Sequence, residues 1–593
     1  MAGSRGHSTG RPERAQGPGR GLTVRAGAAL GGIGLAFLLL IGQLAHLQVA
    51  RGQFYRRQAE RQQIMSRELS ARRGRIYDRR GRLLAVSVPR WSIYADPAGV
   101  ENPGRVATAL ARLPGVSRRR VRRKLRRDGY FVWIKRQVSD EEASRVRALD
   151  LRGVHMRRER KRLHPQGPLA AHVVGFTDID GRGLAGIERR MDKLLRGRPG
   201  MESVLCDGGR RIFRSPRDHV RRRPFNGYDV HLTLDAYIQS IAEQELRKAV
   251  DKHQPEAATA LVLDARDCSV LAMASWPTFD PQQPAASPAR NQRNMAVTDA
   301  YEYGSVMKPF TVAGALERDL VTPSTEFDCH GGEWRIGART LHDAHEFGVL
   351  SVSDIICYSS NIGAAQVGMA LGAGPLHGAL RGFGFGTPSG IALPGEVGGR
   401  VRPLDAWNDY SVVSVAFGQE LAVTPLSVAR AFSVFPNDGA LLQPRIIRSV
   451  VPAGGGRPVY EAGPPMLTGY PIDPATARQV MRMLRRVVEE EHGTGRQVEM
   501  REYSVAGKTG TAQLMRQDGR GYSDSRYLAS FVGIAPVENS RVVVLVSLKA
   551  PSENGYYGGL AAGPAVRNII RRTLRYLNVP PAPPADGEMG ETA

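Results

Sequence analysis

A segment without charged side chains near the start of the chain constrains the fold more than any other feature of the sequence. Residues Ala26 to Leu47 read AGAALGGIGLAFLLLIGQLAHL and contain no Asp, Glu, Lys or Arg. A helix of this length crosses the hydrocarbon layer of a bilayer. A buried core helix and a cleaved signal peptide are the alternatives, but the apolar run is long for a signal peptide and no A-x-A cleavage site closes it. We therefore predict an uncleaved transmembrane anchor over residues 26–47.

The arginines around this span do not decide which way it crosses the membrane. The positive-inside count is a tie, and long domains translocate largely regardless of charge. The arginines counted are Arg11, Arg14, Arg20 and Arg25 before the span, and Arg51, Arg56, Arg57 and Arg61 after it. The orientation must therefore follow from the function of the rest of the chain.

The length and texture of the chain predict several domains. At 593 residues it exceeds what one hydrophobic core supports, so we expect two or three domains. Residues 1–25 and 580–593 have the composition of disordered tails. Residues 48–225 are rich in arginine, and the stretch RRGRIYDRRGRLLAVSVPRWSIYADP from Arg72 alternates apolar and polar residues around Gly and Asp turns, which predicts strands and hairpins. We therefore expect a β-rich pedestal domain without catalytic residues. Residues 226–579 carry longer strand and helix patterns and predict a second folded domain.

The patterns in residues 226–579 are those of an α+β fold. VHLTLDAYIQSIAEQELRKAV predicts a strand and then a helix that begins near the N-cap Asp235. ATALVLDARDCSVLAMASW, YLASFVGIAP and SRVVVLVSLKAP predict further strands, and RNIIRRTLRYL predicts a closing helix. We expect an antiparallel sheet flanked by helices.

The strong positive charge does not by itself indicate a nucleic-acid partner. The formal net charge is +26, but only 9 of the 83 basic residues are lysine, which is typical of a genome-wide composition bias. No nucleic-acid motif accompanies the charge, so we predict no nucleic-acid partner. The arginine runs are interpreted as solvated faces, with an anionic surface such as lipid headgroups as the alternative. These runs are Arg118–Arg120, Arg122–Arg123 and Arg221–Arg223.

The four cysteines predict neither a metal site nor a disulfide framework. No CxxC pair or His-rich partner spacing suggests a metal ligand set. Four cysteines in a chain of this size are too few for a disulfide scaffold, and their spacing forces no pairing. They are Cys206, Cys268, Cys329 and Cys357.

Catalytic chemistry is first suggested by the motif Ser305-Val306-Met307-Lys308. The apolar spacing after Ser305 is helical, and residues i and i+3 share a helix face, so the Lys308 amine can reach the Ser305 hydroxyl. A serine hydroxyl becomes a good nucleophile when a neighbouring base removes its proton. Lysine acts as that base when burial or nearby cations lower its pKa. The alternative is that Ser305 is an ordinary helix N-cap.

Two further motifs follow in order along the chain. Ser359–Asn361, in IICYSSNIGAAQVG, offers a hydroxyl that can relay a proton and an amide that can hold a substrate amide. Lys508–Thr511, in YSVAGKTGTAQ, predicts a strand. There Gly510 lets a substrate approach the backbone, and Lys508 supplies positive charge for a carboxylate. The first two motifs are each common by chance, so the prediction rests on all three standing in order.

In this arrangement the sequence resembles the penicillin-binding proteins. Ser305–Lys308, Ser359–Asn361 and Lys508–Thr511 are similar to the SxxK, SxN and KTG motifs of those enzymes and of serine β-lactamases. Similarity to the class B members extends over roughly residues 26–579, through RGRIYDRRGRLLAVSVP, AAHVVGFTDIDGRGLAGIE, LDAYIQ, FGQELAVTPLSVARAF and YYGGLAAGPAVRNI. LAVSVPRWSIYADP and HVVGFTDIDGRGLAGIE look most like the division-specific transpeptidase of the septum. The elongation-specific paralogue is the alternative.

The resemblance implies a serine-type peptidoglycan D,D-transpeptidase that needs no metal or organic cofactor. Ser305 would attack the D-Ala–D-Ala carbonyl of a stem peptide, with Lys308 as the base. Ser359, helped by Lys508, would pass the proton to the leaving amine. An amine from a neighbouring stem peptide would then take the acyl group, and β-lactams would acylate Ser305 as substrate mimics.

The resemblance also implies how the substrate is held. Asn361 would bind the substrate amide, and Lys508 with Thr509 would bind the terminal carboxylate. The backbone N–H groups of Ser305 and Thr511 would form the oxyanion hole, usually the largest electrostatic contribution to catalysis.

One departure and three alternatives accompany this prediction. Tyr303 stands where the family commonly has proline before the nucleophile, which alters the approach to the helix but no catalytic group. A D,D-carboxypeptidase or β-lactamase would use water as the acceptor, but no Glu-x-x-Leu-Asn loop lies between Asn361 and Lys508. A sensor that only binds β-lactams would have no need of Lys308.

The implied function also sets the expected location and partners. Cross-linked peptidoglycan lies outside the inner membrane, so residues 1–25 should be cytoplasmic and the chain after Leu47 extracytoplasmic. No glycosyltransferase signature lies upstream of the motifs. A membrane partner should therefore polymerise the glycan, alongside other division proteins.

Overall fold

The chain forms two compact units in a computed structural model that describes residues 20–55, 64–206, 212–214, 220–516 and 521–582. The described residues of Met1–Ser70 and Pro199–Pro224 make the first unit, and those of Ala71–Arg198 and Phe225–Ala593 make the second. Most of the two predicted tails, 1–19 and 583–593, lies outside the described residues. The predicted domain limits at 48–225 and 226–579 stay predictions.

The first unit contains the apolar segment as a helix. This helix is Arg20–Ala45, continued by a π-helical turn, His46–Ala50. The stretch Val24–Val49 has a mean hydropathy of 2.0 and is not buried in the protein, so it is no core helix. It is long and apolar enough to cross a membrane. The unit also holds an antiparallel sheet of Ile64–Leu69, Gly200–Cys206, Ile212–Arg214 and Val220–Arg222.

In the second unit, one mixed sheet pairs strands from both halves of the sequence. The short strand Ile76–Tyr77 pairs antiparallel with Leu83–Ala95 and parallel with Asp229–Leu232. The predicted hairpin is therefore present. The strands Val132–Val138 and Val154–Leu163 both pair antiparallel with Leu83–Ala95. The helices of residues 71–198 are Pro103–Leu110, Arg118–Leu125, Asp140–Ala148, Ala171–Val174, Gly186–Arg190 and Asp192–Leu195. The strands Ile447–Val451 and Tyr460–Glu461 extend the sheet beyond Asp229–Leu232.

A buried ion-pair network ties two of the segments that carry the family resemblance. Glu188 is fully buried and accepts hydrogen bonds from Arg73 Nε at 2.7 Å and Arg162 Nε at 2.6 Å. Arg73 also donates to Asp192 at 2.7 Å. Burial alone would raise the pKa of Glu188, but the two guanidinium groups outweigh it and hold that pKa below its ordinary value. The network joins Arg73, which precedes the strand Ile76–Tyr77, to the strand Val154–Leu163 and the helix Gly186–Arg190.

A central antiparallel sheet forms the core of residues 226–579. Its order is Val270–Trp276, Ala257–Asp264, Val542–Lys549, Tyr522–Ala535 and Ala506–Met515. Successive side chains face opposite sides. Ala260 and Val262 therefore pack with the helices Ala236–His253 and Gly563–Tyr576, while Leu261 and Leu263 join the larger core on the other face. The predicted α+β fold, an antiparallel sheet flanked by helices, is confirmed.

The larger core lies between the central sheet and a group of helices. The helix Lys308–Leu316 is buried throughout, and its Phe310 packs against four other phenylalanine rings at centroid distances of 4.8–5.6 Å. The helices around it are Met295–Thr298, Val352–Tyr358, Asn361–Leu371, Ala373–Gly382, Ser411–Ala416, Pro425–Phe432 and Pro474–Glu489, while the short helix Gly558–Ala561 packs in the core on the other face of the sheet. The remaining short strands are Glu326–Asp328, Glu333–Ile336, Arg339–His342, Val349–Ser351, Arg400–Val401, Leu421–Ala422, Leu441–Leu442 and Leu467–Gly469.

The cysteines in the described part of the second unit are free thiols. Cys268, Cys329 and Cys357 are buried and unpaired with one another. The side chain of Cys206 lies outside the described residues. Burial raises the pKa of the Cys268 and Cys357 thiols to about 12, so these groups stay protonated near neutral pH.

Replacing Glu188 with alanine should destabilise the protein strongly. The change leaves Arg162 buried without a carboxylate and Arg73 with Asp192 alone, and breaking a buried pair in this way costs about 3–5 kcal/mol. Urea denaturation followed by tryptophan fluorescence measures the loss. Glu101→Ala is the matched control because Glu101 pairs with Arg152 while 74% exposed, and a surface pair contributes about 0–1 kcal/mol. Equal losses for the two variants would contradict this account of the network.

Candidate active site

The turn that carries Ser305 leads directly into a buried helix. Gly304–Met307 forms a 3₁₀ turn, and the α-helix Lys308–Leu316 follows without a break. Side chains three residues apart eclipse each other in a 3₁₀ turn, which aligns Ser305 with Lys308. Pro309 lies in the first helical turn, where it costs no hydrogen bond. No side-chain cap bond exists at either helix start, so Ser305 is not an N-cap.

Lys308 is fully buried at the centre of the three motifs. Its Nζ donates to Asn361 Oδ1 at 2.8 Å, to the Ser359 carbonyl and to Ser359 Oγ at 3.3 Å. Burial lowers the pKa of Lys308 to about 7, against an upward pull from the Asp343 carboxylate. A substantial fraction of this amine is therefore neutral near pH 7.

The Ser359–Asn361 motif forms the link between two helices. The helix Val352–Tyr358 ends at Ser359, whose φ of 66° is in the left-handed region. Few non-glycine residues adopt that conformation, and it is held only where the surroundings enforce it. The next helix begins at Asn361, with Ser360 as its N-cap through a 2.9 Å bond from the Gly363 N–H. The turn directs Ser359 and Asn361 toward Lys308.

Lys508 approaches the same serine from the central sheet. It lies on the strand Ala506–Met515, which is the edge of the sheet. Its Nζ is fully buried and donates to Ser359 Oγ at 2.8 Å. Burial, reinforced by the nearby charge of Lys308, lowers the pKa of Lys508 well below its usual value. The hydroxyl of Ser359 therefore lies between two lysine amines.

The rest of the Lys508–Thr511 motif lines the same strand. Thr509 is nearly buried, and its hydroxyl donates to Thr494 Oγ1 at 3.0 Å. Thr511 Oγ1 accepts a bond from the Gly558 N–H at 3.0 Å. All eight predicted residues therefore lie on three adjoining segments: the turn Gly304–Met307 with the helix start at Lys308, the link between two helices, and the edge strand.

Gly510 is required by the packing of the protein itself. A Cβ at this position would lie 2.6 Å from Val306 Cγ2 and 2.7 Å from the Tyr303 carbonyl oxygen. The missing side chain thus lets the edge strand lie against the turn that carries Ser305. This adds a reason for glycine to the predicted close approach of a substrate.

The structure brings in residues that the sequence motifs do not indicate. The Asp343 carboxylate accepts bonds from the Ser360 hydroxyl at 2.6 Å and from the Ile362 N–H at 3.2 Å. Thr494 contacts the Thr509 hydroxyl. These residues lie between the motifs in sequence, with no spacing or composition signal to separate them from other polar residues. Only the fold shows that they belong to the site.

Tyr303, the departure from the family pattern, is also accounted for. Its side chain is fully buried, with its hydroxyl 3.4 Å from Ser547 Oγ of the central sheet. The residue packs the start of the turn Gly304–Met307 onto the sheet.

Sequence profiles of two families match the chain. The profile of the penicillin binding protein transpeptidase domain matches residues 258–571, and that of the penicillin-binding protein dimerisation domain matches residues 68–232. The chain is a class B penicillin-binding protein. The resemblance inferred from the three motifs is therefore confirmed.

Curated relatives and a solved structure agree with this assignment. This penicillin-binding protein is 35% identical over 555 residues to the probable peptidoglycan D,D-transpeptidase PenA of Neisseria meningitidis, covering 93% of this chain and 92% of that protein. It is 30% identical to the peptidoglycan D,D-transpeptidase FtsI of Escherichia coli, covering 98% and 97%. Penicillin binding protein 3 of Mycobacterium tuberculosis, crystallised with aztreonam, matches with a TM-score of 0.69 at 29% identity, covering 87% of this chain and 99% of that one.

The Gly510→Ala variant of this penicillin-binding protein should react more slowly with penicillin. The added methyl group would meet three atoms at 2.6–2.7 Å and push the edge strand away from the Ser305 turn. Displacing a reacting group by about 1 Å costs up to 100-fold in rate, so we expect a fall of about ten-fold or more. The rate of labelling by a fluorescent penicillin measures it.

Gly378→Ala is the control for this variant. A Cβ at Gly378, in the helix Ala373–Gly382, meets nothing within 4 Å. Its labelling rate should match that of the unmodified protein. A Gly510→Ala protein that labels at the unmodified rate would show that this packing contact does not matter for the site.

Proposed function

We propose that this protein is the septal peptidoglycan D,D-transpeptidase of its cell, acting through an acyl-enzyme on Ser305. The observation that carries the chemistry is the pair of buried lysines around one serine hydroxyl: Lys308 and Lys508 both donate to Ser359 Oγ. The similarity to a relative named as a peptidoglycan D,D-transpeptidase extends over 98% of the chain. The septal role is supported by the similarity of this chain to FtsI.

In the proposed reaction, Lys308 is the general base. The Ser305 Oγ attacks the carbonyl carbon of the penultimate D-Ala while the Lys308 amine removes the hydroxyl proton. Burial keeps part of the Lys308 population neutral near pH 7, which a base requires. The oxyanion that forms is held by the N–H groups of Ser305 and Thr511.

Collapse of this intermediate needs a proton at the leaving nitrogen. The C–N bond breaks, D-Ala departs as the amine, and the acyl group stays on Ser305 as an ester. Ser359 is the proposed relay, because its hydroxyl lies 2.8 Å from Lys508 Nζ and 3.3 Å from Lys308 Nζ. A proton taken up by Lys308 thus reaches the leaving group through one hydroxyl.

The substrate contacts proposed for the other motif residues follow from their surroundings. Asn361 holds its Oδ1 toward Lys308 and its Nδ2 toward the His342 carbonyl at 3.0 Å, so its amide is oriented before a substrate amide arrives. Lys508 is buried, so it attracts the terminal carboxylate through its charge, and the Thr509 hydroxyl makes the direct contact.

The acceptor decides between cross-linking and hydrolysis. In cross-linking, the amine of a neighbouring stem peptide attacks the Ser305 ester and restores the serine. A carboxypeptidase would use water, and a sensor would retain the acyl group. The peptide-cross-linking role is favoured because the names of the similar proteins specify D,D-transpeptidases. β-Lactams are the proposed inhibitors, since they acylate the same serine.

The proposed location is the inner membrane, crossed once. The helix Arg20–Ala45 anchors the chain, residues 1–25 face the cytoplasm, and the catalytic region faces the wall. The absence of a glycosyltransferase signature from the sequence supports a separate membrane partner that polymerises glycan. Other division proteins complete the proposed assembly.

Mass spectrometry after incubation with penicillin tests the acyl-enzyme. We expect one adduct per full-length chain, on the peptide that contains Ser305, because that hydroxyl is the proposed nucleophile and Lys308 its proposed base. The adduct should be absent in Ser305→Ala. A folded protein without an adduct would contradict the mechanism.

Release of D-Ala from a stem pentapeptide, with formation of a dimer when a second stem peptide is supplied, separates transpeptidation from hydrolysis and from sensing.

The rate of acylation should depend on pH through Lys308. Its pKa of about 7 lies below the ordinary value, so the neutral amine predominates above pH 7 and the protonated form below it. The acylation rate should therefore rise with pH and reach half its maximum near pH 7. Stopped-flow measurement with a fluorescent penicillin from pH 5.5 to 9 follows the rise. A rate that is flat over this range would exclude Lys308 as the base.

A further inference from the structure

Asp343 makes a set of contacts that the three motifs leave unexplained. It follows the hairpin Glu333–Ile336 and Arg339–His342 directly in sequence. Its carboxylate accepts hydrogen bonds from three consecutive residues of the catalytic link: the Ser360 hydroxyl at 2.6 Å, the Asn361 N–H and the Ile362 N–H at 3.2 Å. One side chain from a separate segment therefore holds the whole start of the helix that carries Asn361.

These contacts add to the N-cap that the helix already has and complete the capping of its first turn. The helix Asn361–Leu371 already has an N-cap, because Ser360 Oγ accepts the Gly363 N–H at 2.9 Å. Asp343 accepts hydrogen bonds from the Ser360 hydroxyl and from the N–H groups of Asn361 and Ile362, which have no partner within the helix. These residues lie 17 to 19 positions from Asp343 in sequence. A carboxylate near a helix N-terminus is also favoured by the helix dipole.

The residue before Asp343 orients the Asn361 side chain. The His342 carbonyl accepts a bond from Asn361 Nδ2 at 3.0 Å, which leaves Oδ1 as the atom that faces Lys308 Nζ at 2.8 Å. The backbone of Asn361 is held by Asp343 and its amide by His342. Two consecutive residues thus fix both the position and the rotation of Asn361.

The charge of Asp343 also acts on the proposed base. The groups that face Lys308 are the Lys508 amine, the Cys329 thiol and the Asp343 carboxylate, together with the neutral Ser359 and Asn361 side chains. Of these, Asp343 carries the negative charge that partly opposes the effect of burial on the pKa of Lys308. Burial lowers that pKa, and the Asp343 carboxylate acts to raise it.

We propose that Asp343 is a positioning residue for the acylation step, holding the Ser359–Asn361 link in place against Lys308. It acts through Asn361 and Ser360 and does not touch the reacting atoms. This inference rests on the proposed function, since it assumes acylation of Ser305 with Lys308 as the base.

The test compares Asp343→Asn with the unmodified full-length protein in detergent. The amide keeps the size of the side chain but loses the charge and cannot accept all three bonds. We expect the plateau rate of acylation by a fluorescent penicillin to fall about ten-fold or more. The acid limb of the pH–rate profile is the range in which the acylation rate rises with pH toward its plateau. Its midpoint should at the same time move to lower pH by about one unit, because Lys308 loses a neighbouring negative charge.

The direction of the pH shift separates positioning from general structural damage. A loosened site would admit water to Lys308, and its pKa would rise toward the ordinary value, which moves the acid limb to higher pH. A limb that stays in place or moves upward, or a plateau rate within two-fold of the unmodified protein, overturns the proposal. A lower plateau with a downward shift supports it.

Asp328→Asn is the matched control. Asp328 lies close by in sequence, but its side chain is 59% exposed. Loss of its charge should leave the plateau within two-fold and the limb in place. A shift equal to that of Asp343→Asn would overturn the proposal, since any nearby charge would then suffice.

Folding is checked by the thermal midpoint of each variant. Where Asp343→Asn does not fold, Ser360→Ala decides, because it keeps the charge and removes one of the three bonds together with the N-cap bond to the Gly363 N–H. A plateau lowered about three-fold or more, with the acid limb unmoved, supports the proposal, and an unchanged plateau overturns it. Failure of the unmodified protein to form the Ser305 adduct would instead count against the proposed function itself.

Discussion

Two lysine side chains buried within hydrogen-bond distance of one serine hydroxyl are the constraint on which the rest of this protein depends. An ammonium group in a protein interior is costly, and two close together repel each other. Burial lowers the pKa of Lys308 to about 7 and that of Lys508 well below its usual value. The pKa values stay low only while water is kept away from these amines. The fold excludes water by enclosing them with three separate chain segments.

Each enclosing segment is held by packing that lies away from the chemistry. The helix that starts at Lys308 is anchored by Phe310 in a cluster of aromatic rings. The edge strand with Lys508 is held by its pairing to Tyr522–Ala535, and it reaches the turn that carries Ser305 because Gly510 has no side chain. The left-handed Ser359 is kept in place between two helices. Rigid elements of this kind can hold catalytic groups in position before a substrate binds.

Several features were predictable from sequence because they arise from local patterns. The apolar helix, the hairpin after Arg73, the helix that begins after Asp235 and the strands of the central sheet were all expected and are present. Side-chain periodicity and capping residues determine such elements within a few turns of the chain. The order of the three motifs was enough to indicate the family, which the sequence profiles confirm.

The sequence by itself thus determined the apolar helix long enough to cross a membrane, the α+β character and the eight candidate site residues, since each depends on residues close together in the chain. Only the tertiary structure decided how those residues meet. Lys308 contacts Ser359 across 51 positions, and Lys508 contacts it across 149. The places of Asp343 and Thr494, the packing reason for Gly510 and the buried Arg73–Glu188 network also appear only in three dimensions. The physical reason is that pKa values and hydrogen bonds depend on neighbours in space, and local sequence patterns do not specify which distant segments pack together.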